Sequence, residues 1–385
     1  MTEKLYYTDS HIHEFSARVL SCEKAKKGFA VVLDKTAFFP EGGGQPADTG
    51  LIGPAAVRDV QEQNGKILHY TDQALTPGEE YACALDWEQR LCRMQNHSGE
   101  HIISGITHKL YGFDNVGFHM GAECMTIDFS GELSWEQLTE IETLANQAVR
   151  DDLPVRATFP DPEALSSLEY RSKLELTQDV RIVEIPGVDR CACCAPHVKR
   201  TGEIGLIKLL SAERHRGGVR IELVCGMDAL RECRLMQENV TAISGLLSAR
   251  RAKSAAAVER VLAEQARLKE RVAELSMALA QLKAESVSYT EGNICVFDNV
   301  LDEVALRELV NLLMEKCGGM AGAFSGSDET GYLYIIGSKN INLRERSREI
   351  NAAINGKGGG TPEMIRGRAS TTAENIQKMM KTPIV

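Results

Sequence analysis

Two short motifs nearly a hundred residues apart limit what this chain can fold into more than any other feature: His97-Ser98-Gly99-Glu100-His101 and Cys193-Cys194-Ala195-Pro196-His197. Each sets two metal-capable side chains four positions apart, and helical residues i and i+4 share a face. Together they supply three imidazoles and one thiolate, a donor set suited to tetrahedral Zn²⁺ with Zn–N of about 2.0–2.1 Å and Zn–S of about 2.3 Å. One such pair alone is weak evidence, because a spaced His pair on a helix is more often surface or satisfied core than ligand. If both pairs serve one ion, the topology has to bring His97, His101, Cys193 and His197 together. Cys191 and Cys194 lie close enough in sequence for either to replace Cys193 as the thiolate.

The segments around these motifs predict an α+β chain in four parts. Residues 1–90 hold β-rich runs (Ala17–Leu20, Ala30–Leu33, Ala56–Val60, Lys66–Tyr70) separated by glycine and polar clusters, the pattern of a small β-barrel. Residues 91–230 mix helices, Cys92 to Tyr111 and Ser134 to Arg150, with strands at Met125–Phe129, Val180–Glu184 and Val219–Leu223. Ser134 with Gln137 reads as a capping box, and the whole reads as an α+β layer holding the metal. Residues 231–288 form a helical linker with a coiled-coil seam at Val261, Gln265, Leu268, Val272, Leu275, Leu279 and Leu282, whose alternating steps of 4 and 3 suit a dimer zipper, an antiparallel hairpin with 232–250 or a spacer. Residues 289–385 read as a compact C-terminal α/β module with strands at Asn293–Phe297 and Gly331–Ile336 and helices at Asp302–Lys316 and Leu343–Asn355.

Charge and cysteine usage narrow the function. A net charge of −10 argues by itself against a nucleic-acid binder, since neutralisation of phosphates by Lys and Arg dominates such affinity. Residues 336–385 reverse the sign locally, with nine basic residues, among them Lys357, Arg366 and Arg368, against four acidic ones. A basic tail on an acidic body has the form of a local docking patch. The eleven cysteines are an odd number without a disulfide rhythm, which fits a reducing, cytoplasmic setting. Neither a signal peptide nor an apolar run of about 18 residues is evident, so no membrane partner is expected.

The stretch Phe38-Phe39-Pro40-Glu41-Gly42-Gly43-Gly44-Gln45-Pro46-Ala47-Asp48-Thr49-Gly50 resembles the glycine-rich entry motif of the editing domain of alanyl-tRNA synthetases and their free-standing relatives. The H-x-x-x-H helix, Ile141-Glu142 with Asn146, the C-x-x-x-H segment running into Val198 and Thr201-Gly202-Glu203-Ile204-Gly205, and Arg220-Ile221-Glu222 follow in the family's order. Gly356-Lys357-Gly358-Gly359-Gly360-Thr361-Pro362-Glu363-Met364 resembles, less specifically, the glycine-rich signature of the synthetases' C-terminal domain, which DHH phosphoesterases also carry; no Asp-His-His motif accompanies it. The chain thus resembles stand-alone alanyl-tRNA editing proteins, and at 385 residues it is expected to have no room for an aminoacylation domain.

That resemblance implies a trans-editing hydrolase that deacylates tRNA(Ala) mischarged with serine, and also glycine, with Zn²⁺ held by His97, His101, Cys193 and His197. It places Gly42, Gly43, Gly44 and Gln45 against the ester or ribose and His119 near the aminoacyl group or terminal adenosine. It gives the C-terminal module, with Lys357, Arg366 and Arg368, the task of docking tRNA. Four protein ligands would close the zinc shell, whereas hydrolysis calls for an open position, so whether zinc is catalytic or positions substrate stays open. Glu100 stands where the family usually has a small residue. About 100° from His101 and 60° from His97 on a helical wheel, it is either a general base for the attacking water or a helix-surface glutamate. The family's C-G-G-T-H is here C-C-A-P-H, which puts specificity in question. Two other functions remain in view: a zinc metallopeptidase, because the first motif also satisfies H-x-x-E-H, and a non-catalytic tRNA-binding accessory protein with structural zinc. A homodimer through residues 247–282 is a further expectation.

Overall fold

The computed structural model describes residues 2–172 and 180–381, which divide into two compact units, Met1–Asn239 and Val240–Val385. The mixed α+β class expected from the sequence is what the chain adopts.

In the first unit, strands β1 (Glu14–Lys24), β2 (Phe29–Leu33), β3 (Gly50–Ile52), β4 (Ala55–Gln63), β5 (Lys66–Thr71) and β6 (Glu80–Leu85) close a barrel in the order β1-β2-β5-β4-β3-β6. Alternating residues such as Val31, Leu33, Val57, Ile67 and Cys83 fill its interior, the period of two that a closed sheet imposes. Helix α1 (Trp87–Tyr111) follows directly. It starts five residues before the expected Cys92 because Asp86 accepts the Gln89 N–H as N-cap, which the polar Trp87-Glu88-Gln89-Arg90 stretch conceals. The helix ends at Gly112, which adopts the left-handed conformation that favours glycine.

Strands β7 (Asn115–Met120) and β8 (Met125–Phe129), helix α2 (Trp135–Arg150), strands β9 (Arg156–Thr158), β10 (Ile182–Ile185) and β11 (Asp189–Ala192), and then β12 (Ile207–His215) and β13 (Gly218–Cys225) complete the second layer. The sheet runs β12-β13-β8-β7, antiparallel throughout, and β9-β10-β11 form a smaller one. Both α1 and α2 bury an apolar face on the larger sheet, Ile102, Ile103, Leu138 and Ile141 meeting Ile127, Ile221 and Leu223. Ser134 caps α2 with both bonds of the capping box formed. The motif residues Glu142 and Asn146 turn out to be a clamp on the edge strand β12. The Asn146 amide exchanges two hydrogen bonds with the Ile207 backbone, at 2.8 and 3.0 Å, and Glu142 accepts from the Leu209 N–H at 2.7 Å, which satisfies backbone groups a sheet edge leaves open.

Helix α3 (Gly226–Leu246) leads to helix α4 (Ser254–Glu285), whose seam is largely exposed: Val261 is 51 %, Leu268 53 % and Val272 60 % accessible. In the second unit, β14 (Ile294–Phe297), α5 (Glu303–Met314), β15 (Ala321–Ser327), β16 (Gly331–Gly337), α6 (Leu343–Ala353), β17 (Gly356–Gly360), β18 (Met364–Ala369) and α7 (Ala373–Lys381) build a five-stranded sheet in the order β14-β15-β16-β18-β17. The glycine-rich run is therefore its edge strand. Ala280 and Ala284 at the end of α4 pack against α5. Among the described residues no helix is long and apolar enough to cross a membrane.

Candidate metal centre and acyl site

His97 and His101 project from one face of α1, and β11 delivers Cys193 and His197 from the loop at its end. The two distant motifs do meet: the ligand atoms of His97, His101, Cys193 and His197 all lie within 4.8 Å of one another. Cys193 Sγ is 3.3 Å from His197 Nε2 and 3.6 Å from His97 Nε2, close to the edge of about 3.6 Å that Zn–N and Zn–S lengths give a tetrahedron. A close approach makes this possible. A Cβ on Gly105, one helical turn beyond His101, would stand 2.4 Å from the Val188 carbonyl oxygen, so only glycine lets β11 come near enough for Asp189 to reach His101.

Each imidazole is oriented from behind. His97 Nδ1 is 2.9 Å from Gln45 Oε1, His101 Nδ1 2.8 Å from Asp189 Oδ2, and His197 Nδ1 3.0 Å from Ser98 Oγ. Gln45 Oε1 and the Asp189 carboxylate only accept, so they fix Nδ1–H on His97 and His101 and aim both Nε2 atoms at the cluster. Arg171 in turn grips Asp189 with Nε and Nη2 at 2.7 and 3.0 Å. Burial works against the Asp189 carboxylate, but hydrogen bonds from His101 and Arg171 bring it down to about 2.

The charge states follow from the same contacts. Burial opposes the Cys193 thiolate, yet His97 and His197 beside it, with hydrogen bonds from His101 and His197, hold its pKa well below that of an ordinary thiol. Burial pushes His197 down to about 3. For His101 burial is outweighed by Asp189 and Cys193, which raise it well above the usual value. A thiolate among imidazoles with occupied Nδ1 atoms fits a divalent ion such as Zn²⁺. Cys191 groups instead with His101 and Asp189, and the Cys194 thiol lies against Gly43.

The glycine-rich loop is held beside this cluster by a buried ion pair. Asp48 Oδ2 accepts from the Phe39 N–H at 2.7 Å and from Arg90 Nε at 2.9 Å, and Arg90 also donates to the Ser10 and Ala37 carbonyls. Gly42 and Gln45 close the tip with reciprocal backbone bonds. Gly44 is left-handed at φ +81°, and a Cβ there would meet Phe118 at 2.7 Å; the Phe118 ring in turn is 5.0 Å from that of His97. Gln45 is only 1 % exposed, and its Nε2 has no partner among the described residues.

Of the other residues singled out in the sequence, Glu100 is 4 % exposed, not a surface glutamate, with Oε2 3.8 Å from His101 Nε2. His119 is not brought to the cluster: it is exposed, and strand alternation puts it on the face of β7 opposite Phe118. Lys357, Arg366 and Arg368 are exposed on β17 and β18, where Lys357 pairs with Arg368 and Gly359 with Arg366, so the three share one face of the second unit's sheet. Ser98, Asp189 and Arg171 escaped the sequence reading. The signal for Asp189 was the period of two along Asp189, Cys191 and Cys193.

Comparison with known proteins accords with this geometry. The family described as "Threonyl and Alanyl tRNA synthetase second additional domain" matches residues 180–222, and "tRNA synthetases class II (A)" matches residues 2–89. The chain is 32 % identical to the alanyl-tRNA editing protein AlaX-L of Pyrococcus horikoshii, covering 98 % of this chain and 96 % of that one. It is 26 % identical to the alanyl-tRNA editing protein Aarsd1-A of Xenopus laevis, over 96 % and 94 %. An alanine–tRNA ligase of Ignicoccus hospitalis is 29 % identical over 99 % of this chain, which spans only 42 % of that enzyme. The chain belongs to the family of alanyl-tRNA editing proteins.

Proposed function

We propose that this chain is a trans-editing hydrolase that deacylates mischarged tRNA(Ala), chiefly with serine attached and also with glycine. The observation that carries the reading is the buried His97, His101, Cys193, His197 cluster set beside a pinned glycine loop whose Gln45 touches a ligand histidine. Bound there by all four side chains, Zn²⁺ would supply a fixed positive charge beside the acyl group and orient it. Gln45 Nε2, buried and without a partner among the described residues, is the donor for the acyl carbonyl oxygen as negative charge develops on it. Gly42, Gly43 and Gly44 admit the terminal ribose close to the backbone. Glu100 accepts a proton from water as the water oxygen bonds to the acyl carbon. The bond from that carbon to the ribose oxygen then breaks, and the proton passes to the departing oxygen. A site that bonds the serine hydroxyl would leave polar groups unpaired with alanine, which spares correct product.

Single-turnover deacylation of seryl-, glycyl- and alanyl-tRNA(Ala), with zinc content measured on the same sample, tests this. Ester cleavage of the first two with alanyl-tRNA spared is expected. Peptide cleavage in its place would point to the H-x-x-E-H peptidase, and tRNA binding without turnover to an accessory protein.

The proposal extends to the second unit. Lys357, Arg366 and Arg368 are taken to meet tRNA phosphates. Replacing all three with alanine is expected to raise KM and to flatten the log–log dependence of affinity on salt by about 0.7–0.9 for each phosphate no longer neutralised. Cleavage at saturating tRNA should persist. The exposed seam of α4 supports a homodimer through residues 247–282, which light scattering would register as a doubled mass. The four-part division at about 90, 230 and 288 belongs to the same proposal.

A further inference from the structure

We infer that Asn115 and Ser104 are positioning residues that aim the Glu100 carboxylate at the metal-holding cluster. The inference rests on the deacylase reading and deepens it.

Three polar side chains bond to one another inside the second layer: Glu100, Ser104 and Asn115 are 4 %, 0 % and 6 % exposed. Ser104, one helical turn after Glu100 on α1, donates to Glu100 Oε1 at 2.7 Å. Asn115 Nδ2 donates to the same oxygen at 2.5 Å and to Ser104 Oγ at 3.0 Å. The remaining Asn115 oxygen accepts from the Gly117 N–H at 3.1 Å, so the amide cannot flip without losing a bond at each end. The strand itself aims Asn115. The register of β7 on β8 shifts between Asp128 and Phe129, a bulge of the kind that redirects a side chain, and it leaves Val116 65 % exposed while Asn115 turns inward.

Two donors on Oε1 fix the carboxylate plane, and the second oxygen, Oε2, then stands 3.8 Å from His101 Nε2, the nitrogen that faces the cluster. An arrangement of this kind is more than a buried glutamate needs to stay hydrogen-bonded, and a neutral amide would meet that requirement at lower desolvation cost. What it adds is direction. Misplacing a catalytic group by about 1 Å can cost on the order of 100-fold in rate.

The experiment compares Asn115→Ala, Ser104→Ala and Ser104→Thr in the full chain with wild type and Glu100→Gln, reading kcat and KM on seryl-tRNA(Ala), thermal melting, and the visible spectrum of the cobalt-substituted protein. Asn115→Ala and Ser104→Ala are expected to lower kcat by about 10-fold or more at unchanged KM, and to shift the cobalt spectrum as Glu100→Gln does. Ser104→Thr keeps the hydroxyl and should recover most of the rate. In the Glu100→Gln background Asn115→Ala should cost nothing further. Losses that simply multiply, or a cobalt spectrum that ignores all these changes in well-folded variants, would overturn the positioning role. If wild type itself fails to cleave seryl-tRNA(Ala), the deacylase reading falls first; a wild type that cleaves, with Asn115→Ala equally fast, sinks only this inference.

Discussion

Cys193→Ser is expected to strip the metal from the protein. The cluster has one sulfur, and the other three donors are imidazoles whose Nδ1 atoms are already engaged by Gln45, Asp189 and Ser98. Losing an outer partner of a ligand typically costs about 10–100-fold in metal affinity; losing the thiolate itself should exceed that, more than about 100-fold. The variant should still fold, because the loop is held through its backbone. The Cys193 N–H donates to the Arg181 carbonyl at 3.0 Å, and Arg181 Nη1 returns bonds to the Cys193 and Ala195 carbonyls at 2.9 and 2.8 Å. Cys191→Ser and Cys194→Ser serve as controls and should keep zinc, since Cys191 groups with His101 and Asp189 and Cys194 lies against the glycine loop. Zinc per chain after dialysis, with chelator competition for affinity, gives the answer. Full occupancy in Cys193→Ser would assign the sulfur ligand to a neighbour.

How far the sequence carried depends on the range of the interaction. Features with a local cause were legible: the shared face of His97 and His101 follows from helix geometry, and Ser134 with Gln137 needs only three residues to close its box. The family resemblance supplied what spacing could not, namely that two motifs nearly a hundred residues apart belong to one site. Contacts that require the assembled fold stayed hidden. Nothing around Glu100 announces that it is buried, because Asn115 comes from a strand and Gly105 admits β11 only once the layers have packed. His119 shows the same limit in another form. Strand alternation is easy to predict, but its phase is set by the sheet, and here Phe118 takes the side facing His97. The partners of the histidines stayed hidden for the same reason: Asp189 reaches His101 only where Gly105 admits β11, and Gln45, though named for its loop, reaches His97 only because the Asp48–Arg90 pair folds that loop onto α1.

Glu100→Gln is expected to lower kcat for seryl-tRNA(Ala) by about 100- to 10,000-fold, the range a positioned general base contributes, with KM and zinc content unchanged. The substitution is nearly isosteric. Its amide oxygen can still accept from Ser104 and Asn115 as Glu100 Oε1 does at 2.7 and 2.5 Å, so packing around α1 should survive. What is lost is the capacity to take a proton at the atom that stands 3.8 Å from His101 Nε2. With all four side chains on the ion the tetrahedral shell would be closed and would leave it little room to activate water unaided, which is why the expectation puts the base on the chain. Glu100 combines burial with nearness to the His101 nitrogen that faces the cluster, whereas Asp189 meets His101 from behind, at Nδ1. A Glu100→Gln protein that cleaves within about threefold of the wild-type rate would move proton transfer away from this residue and leave positioning of substrate as the site's contribution.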